Sequence, residues 1–312
     1  MRQDYRKAVL TNSDNSPIDL FIQTPQRSPR SHTSMSNTSR HIAFIGGGNM
    51  ASSLIAGLIA DGYPPTALCV AEPDATRRAD LNARFGVRTV ADNREALAGA
   101  ATLVLCVKPQ LAPAVCREIG NLVCQLGPLV ISIMAGVPEA AIQRWLGSPV
   151  PVVRSMPNTP AMVQTGAIGL HASPEVGDDG RNRAETILRA AGLTRWVEDE
   201  AQIDAVTAIS GSGPAYFFLL MEALEQAGID LGLDAETARL LTIQTALGAA
   251  RMAVESDAPP AQLRAQVTSP GGTTERALAV FTEAGLSKLV GRAAHAARER
   301  AVEISKTLME QS

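Results

Sequence analysis

The sequence predicts an α/β domain, built on a doubly wound parallel sheet, followed by an all-helical domain. Three observations carry this. Short apolar runs alternate with helical patterns from His41 to Arg154, as in a parallel sheet covered by helices on both faces. A glycine-rich turn, Gly46-Gly47-Gly48-Asn49-Met50-Ala51, joins the first apolar run to the first helical one. From Glu198 onward strand-like runs vanish and a 3.6-residue period takes over. With 312 residues there is length for two cores. The divisions are an extension over 1–39, a sheet domain over 40–198 and a helical domain over 199–312.

Residues 1–39 are rich in Ser, Thr, Asn, Gln, Pro and Arg, with one short apolar cluster from Ile18 to Ile22. They bury too little to offset ordering, so disorder is expected. No apolar core with a cleavage site follows, so no secretory signal is expected. His41 to Ile45 then reads as a buried strand, and Leu68 to Ala71 as a second. Gly86–Val90, Leu103–Val107, Val130–Met134 and Val152–Arg154 complete the strand-like series, with a helix over Asn93–Ala100.

The turn after the first strand fits G-x-G-x-x-A. Gly46 permits the tight bend, Gly48 lets backbone approach a pyrophosphate, and Ala51 allows close helix–strand packing. The helix N-terminus then faces the anion. This is a Rossmann-type dinucleotide site. Glu72 ends the second strand, about 20 residues beyond Ala51, where an acidic side chain can bond ribose hydroxyls and favour NADH. Arg77 and Arg78 stand about one turn into the next helix, where they can meet a 2′-phosphate and favour NADPH, or simply face solvent. The coenzyme stays open between NADP(H) and NAD(H). Gly46, Glu72, Lys108, Ser132 and Met156 all fall at the carboxyl ends of strands, where ligands of such sheets bind.

Composition narrows the function. Apolar residues at 46%, charged residues at 19% and a net charge of -3 describe a soluble protein, with no broad nucleic-acid footprint. No apolar run reaches the length of a membrane span. Cys69, Cys106, Cys116 and Cys124 read as reduced residues of a cytoplasmic protein. His32, His41, His171 and His295 have no ligand spacing, so no metal is expected.

In the second half, helical patterns cover Ala201–Ile209, Ala215–Ala227, Ala235–Val254 and Leu286–Leu308. Ser210-Gly211-Ser212-Gly213-Pro214 interrupts the first, either to let a backbone or cofactor come close or as a plain connection. Ser269-Pro270-Gly271-Gly272-Thr273-Thr274 opens a helix over Glu275–Ala284. Gly272, Thr273 and Thr274 can offer N–H groups and hydroxyls to a small carboxylate. Ordinary N-capping by Thr273 or Thr274 is the simpler alternative, but it leaves the paired glycines unexplained. No histidine sits in a site motif, and the four lysines are Lys7, Lys108, Lys288 and Lys306. That scarcity of acids leans toward reduction of a C=N bond, since an iminium arrives already activated. A hydroxyl such as Thr274 would orient it.

Five motifs, in order, are similar to those of pyrroline-5-carboxylate reductases: Gly46–Ala51, Cys106–Gln110, Arg154–Pro160, Ser210–Tyr216 and Val267–Thr274. The resemblance spans about residues 40–308. It implies reduction of 1-pyrroline-5-carboxylate to L-proline with NADPH or NADH, the last step of proline synthesis. It further implies that Gly46, Gly48, Asn49, Met50 and Ala51 cradle the pyrophosphate and that Asn93 touches the adenosine side. Cys106, Val107, Lys108 and Pro109, with Ser132 and Ala135, would line the nicotinamide side. Ser269, Gly271, Gly272, Thr273 and Thr274 would hold the substrate carboxylate, with Thr274 at the imine nitrogen. Glu200 aligns near a family cofactor or substrate contact. The implied assembly is a dimer interlocked through the helical domain, building to decamers. The 1–39 extension and Glu72, which stands where many members carry a small or polar residue, depart from the family pattern. Two rivals are a β-hydroxyacid dehydrogenase-like enzyme, which needs a helical-domain lysine motif that Lys288 and Lys306 do not supply, and a dinucleotide sensor without catalysis, which needs no carboxylate loop.

Overall fold

The computed structural model describes residues 41–310; the extension expected over 1–39 lies outside the described residues. Strands β1 (Ile42–Ile45), β2 (Leu68–Ala71), β3 (Arg88–Val90), β4 (Thr102–Leu105), β5 (Leu129–Ser132) and β6 (Val152–Met156) are joined by β7 (Gly166–Ala172) and β8 (Gly192–Trp196). The order is β3-β2-β1-β4-β5-β6-β7-β8. The first six strands pair in parallel, in the 3-2-1-4-5-6 order of dinucleotide-binding folds. β7 runs antiparallel to β6, and β8 follows β7. The sheet is therefore parallel in its main part and reversed at one edge. The link from Pro157 to Thr165, a 3-10 turn over Thr159–Val163, is shorter than the dozen or more residues a parallel crossover needs.

Alternation along β1 splits the core in two. Ile42 and Phe44 face helices α1 (Asn49–Ala60), α2 (Ala75–Phe85) and, further along the sheet, α6 (Asp178–Arg189), whose Leu54, Ile55, Leu81 and Ile187 fill that side. Ala43 and Ile45 face α3 (Asn93–Leu97), α4 (Ala112–Leu126) and α5 (Glu139–Leu146) on the other. Local signals start and stop these helices. Asp74 caps α2 by accepting from the Arg77 N–H (2.8 Å), and Asp92 caps α3 (2.7 Å to the Arg94 nitrogen). Glycines 86, 127 and 147 end α2, α4 and α5 in the left-handed conformation.

The helical region comprises α7 (Gln202–Val206), α8 (Gly213–Asp230), α9 (Ala235–Glu255), α10 (Pro260–Gln266), α11 (Thr273–Glu283) and α12 (Leu286–Glu310). The Ser-Gly-Ser-Gly-Pro stretch is not a connection. Thr207–Gly211 forms a π-helical turn that carries α7 directly into α8, with the Ser212 N–H donating to the Thr207 carbonyl at 2.8 Å. Met156 fills the space a Cβ at residue 211 would take, and the Asn158 amide donates to the Ser210 carbonyl (3.0 Å). What comes close is thus the end of β6.

This region has little core of its own within one chain. Among the described residues from α8 onward, only Gly213 in α8, Ala238 in α9, and Ala301 and Leu308 in α12 are buried. Phe218, Leu219 and Leu247 are 63%, 66% and 59% exposed. The α7–α8 stretch, Gln202–Asp230, is the one helix among the described residues long and apolar enough to cross a membrane by length and composition. α12 returns to the sheet domain, where Leu308 and Met309 pack into the second core.

Candidate active site

The carboxyl ends of the central strands are brought level by register: Ile45 opposes Ala71 and Leu105, and Leu105 opposes Ser132. The glycine turn therefore lies at the point where strand order reverses between β1 and β4, where α/β sheets open a crevice. Gly46 adopts φ 97°, and a Cβ there would stand 2.7 Å from the Cys106 carbonyl oxygen. Only glycine fits. Beside Gly48, by contrast, nothing lies within 4 Å of a Cβ position, so this backbone is open to a ligand. A narrow turn followed by an open approach at the start of α1 is the cradle a pyrophosphate requires, and these residues fit a dinucleotide.

Gly47 answers to a different neighbour. Its N–H donates to Glu72 Oε2 at 3.0 Å, and a Cβ at this position would fall 2.6 Å from Leu81 Cδ1 and 3.3 Å from Glu72 Oε2. Glu72 is buried and also accepts from the Asp74 N–H (3.1 Å). Arg78 donates to the carbonyls of Glu72 and Pro73 at 2.7 and 2.8 Å. Arg77 lies 3.9 Å from Glu72 Oε2, with its side chain 56% exposed.

Around this turn the structure places most of the expected coenzyme contacts. Asn49, Met50 and Ala51 form the first turn of α1. Cys106 follows β4, its N–H bonded to the Ile45 carbonyl (2.8 Å), and burial pushes its thiol up, away from any acid–base role. Val107 and exposed Lys108 lead into a 3-10 turn that starts at Pro109. Ser132 Oγ accepts from the Met134 N–H (3.3 Å), and its carbonyl accepts from Ser155 Oγ (2.8 Å). The bend that holds Ala135 comes next. Asn93 opens α3, but its amide donates to Glu118 on α4 (3.0 Å). All four cysteines are free, with Cys69 half-buried in β2 and Cys124 exposed.

The loop from Ser269 to Thr274 lies on the exposed side of α11. Gly271 adopts φ 73°, and its N–H donates to Glu275 (2.7 Å). The Gly272 N–H closes on the Ser269 carbonyl (3.0 Å). Gly272 itself is the N-cap, with no side-chain capping bond, so the simple capping role for Thr273 or Thr274 falls away. Among the described residues, the N–H groups of Thr273 and Thr274 find no acceptor, being the orphan donors of a helix start. Two hydroxyls stand beside them.

A buried ionic cluster was not anticipated. Arg154 Nη1 donates to Glu200 (3.0 Å) and Nη2 to Asp204 (3.2 Å). Glu200 also accepts from the Glu139 N–H (2.9 Å), and Glu139 Oε1 meets His171 Nδ1 at 2.7 Å. The cluster ties α5, β6 and β7 to the start of α7. One signal was available: an arginine inside the apolar run Val152-Val153-Arg154 must find buried partners. Among the described residues no three His, Cys, Asp or Glu side chains gather as a metal group.

Comparison with known proteins fits this geometry. Residues 200–304 match the family model described as pyrroline-5-carboxylate reductase dimerisation, and residues 41–136 match one described as NADP oxidoreductase, coenzyme F420-dependent. The chain is 51% identical to a pyrroline-5-carboxylate reductase of Pseudomonas aeruginosa over 269 residues, covering 86% of this chain and 97% of the relative. It is 44% identical to that of Pasteurella multocida, covering 86% and 98%. Among solved structures, the Coxiella burnetii reductase superimposes with a TM-score of 0.83 at 49% identity, covering 86% of this chain and 99% of the other. The Plasmodium falciparum pyrroline carboxylate reductase with NADP bound reaches 0.75 at 29% identity, covering 87% and 100%.

Proposed function

The chain belongs to the pyrroline-5-carboxylate reductase family, and from that premise we propose how its own residues carry the reaction. It is an NAD(P)H-dependent oxidoreductase that reduces the C=N bond of 1-pyrroline-5-carboxylate to give L-proline, the last step of proline biosynthesis. The reduced nicotinamide supplies the hydride when bound. The observation that carries the reading is the pairing, in one family-matched chain, of an open glycine cradle at Gly48 with a loop whose Thr273 and Thr274 N–H groups are free.

The division of labour follows the chain. Residues 40–198 hold the coenzyme, with Gly46, Gly48, Asn49, Met50 and Ala51 at the pyrophosphate and Glu72 and Asn93 toward the adenosine. Cys106, Val107, Lys108, Pro109, Ser132 and Ala135 line the nicotinamide side. Residues 199–312 dimerise and hold the substrate. The turn through Ser269, Gly271 and Gly272 is closed by its own hydrogen bonds, which leaves the Thr273 and Thr274 N–H groups to bind the carboxylate. The Thr274 hydroxyl orients the ring nitrogen. A cyclic iminium is activated on arrival, so the site supplies position and hydrogen bonds rather than a strong acid. The enzyme is a cytoplasmic homo-oligomer that builds from dimers to decamers, which sedimentation will distinguish.

The test is consumption of NADPH and NADH, in parallel, with pyrroline-5-carboxylate supplied to the purified protein. Turnover with either is expected. A folded oligomer that binds the coenzyme yet turns over neither would be a sensor, and the reductase reading would fall.

A further inference from the structure

We infer that Glu72 selects the coenzyme, setting NADH ahead of NADPH, and that Arg77 and Arg78 do not read a 2′-phosphate. The inference rests on the dinucleotide reading of the glycine turn and adds which dinucleotide it takes.

The glycine fingerprint leaves its middle position free. Here it is Gly47, and the structure gives the reason: Leu81 and Glu72 occupy the space that any side chain would need. The absent Cβ lets the Glu72 carboxylate reach the turn and accept the Gly47 N–H at 3.0 Å. Its other oxygen accepts the Asp74 N–H at 3.1 Å. The carboxylate therefore cannot swing away without leaving two backbone donors unpaired, one of them buried. Each oxygen keeps a lone pair, and such an acceptor at the end of the second strand suits ribose hydroxyls, which donate. A 2′-phosphate only accepts at neutral pH and adds like charge beside a fixed carboxylate, which is repulsive.

The arginines do not offset this. Arg78 is tied to the carbonyls of Glu72 and Pro73 at 2.7 and 2.8 Å, so its guanidinium braces the bend. Arg77 is the free one, but its nearest charge is Glu72 itself, at 3.9 Å. An exposed side chain already facing a carboxylate is a poor phosphate clamp.

Two readouts test this on the full-length protein. Calorimetry compares Kd for 5′-AMP with adenosine 2′,5′-bisphosphate, and for NADH with NADPH; steady-state assays compare kcat/KM for the two coenzymes. The expected result is at least about tenfold preference for the forms without the 2′-phosphate. Glu72→Gln keeps one acceptor oxygen and removes the charge, and should move the preference toward NADPH by about tenfold or more. Arg77→Ala should change the preference by less than about threefold. A native preference for NADPH, an unmoved preference in a folded Glu72→Gln, or a selective tenfold loss of NADPH in Arg77→Ala would each overturn the inference. Should Glu72→Gln fail to fold, the native ratio and Arg77→Ala decide. Failure of turnover would remove the reductase reading while the binding ratios still judge Glu72.

Discussion

Thr274 stands at the second position of α11, with an N–H that has no acceptor and a hydroxyl that does not cap the helix. A side chain free of structural duty beside a donor pair is the kind whose loss should be felt in catalysis. Thr274→Ala is expected to lower kcat/KM by about 10²-fold or more, with little change in thermal midpoint. An unchanged rate would remove the hydroxyl from the mechanism. At this scale the sequence was informative wherever one residue type answers one demand. Gly46 was legible because a left-handed bend against a neighbouring strand admits nothing larger. Glu72 was legible as an acid at a strand end, but its two backbone bonds were not, since one depends on how closely the glycine turn folds back on it and the other on the bend that leads to Asp74.

Among the elements, six strands were readable from period and punctuation to within two residues at their ends. Helices α3, α8, α9, α11 and α12 were readable to within three, while β8, α4, α5, α6 and α10 were not delimited. β7 was not, because nothing local says that the strand after Pro157 turns back; a link too short for a crossover decides it. The π turn at Thr207–Gly211 was hidden likewise: small residues signal close approach, and only the fold shows Met156 to be what approaches. The cluster around Arg154 belongs here too, since it joins four elements. Burial pushes the Glu139 carboxyl above its ordinary value, against the pull of the His171 hydrogen bond, and nearby Glu200 adds to the rise. A carboxyl whose pKa rises on folding stabilises the fold below its unfolded value, about 4.3, and loses that contribution as pH climbs through the raised value. In urea unfolding, the stability of Glu139→Gln relative to the native protein should therefore improve as pH rises from about 4 toward neutrality. A difference that stays flat with pH would refute the assignment.

For the whole molecule, the helical region cannot close on itself. α8 and α9 show wide apolar faces, far beyond scattered surface residues, and the family model that covers them is a dimerisation model. Covering such a face with a second copy removes it from water at roughly 25 cal/mol per Å². Leu247→Glu is expected to shift the protein to monomers by sedimentation velocity and to lower reductase activity by at least tenfold, because a charge buried in an apolar interface is costly. A variant that stays oligomeric would place the interface elsewhere.

The sequence by itself determined the strand cores, the glycine cradle, the hydroxyl-bearing loop and the family. Each is encoded in a short window, where periodicity and residue chemistry act over a few neighbours. Only the tertiary structure decided the reversal of β7, the bonds that hold Glu72, the ionic cluster and the openness of the helical faces. The reversal of β7 depends on pairs 13 to 19 residues apart, and the Gly47–Glu72 bond and the ionic cluster on pairs 25 to 61 residues apart. The open faces depend on surface that remains uncovered once all local demands are met.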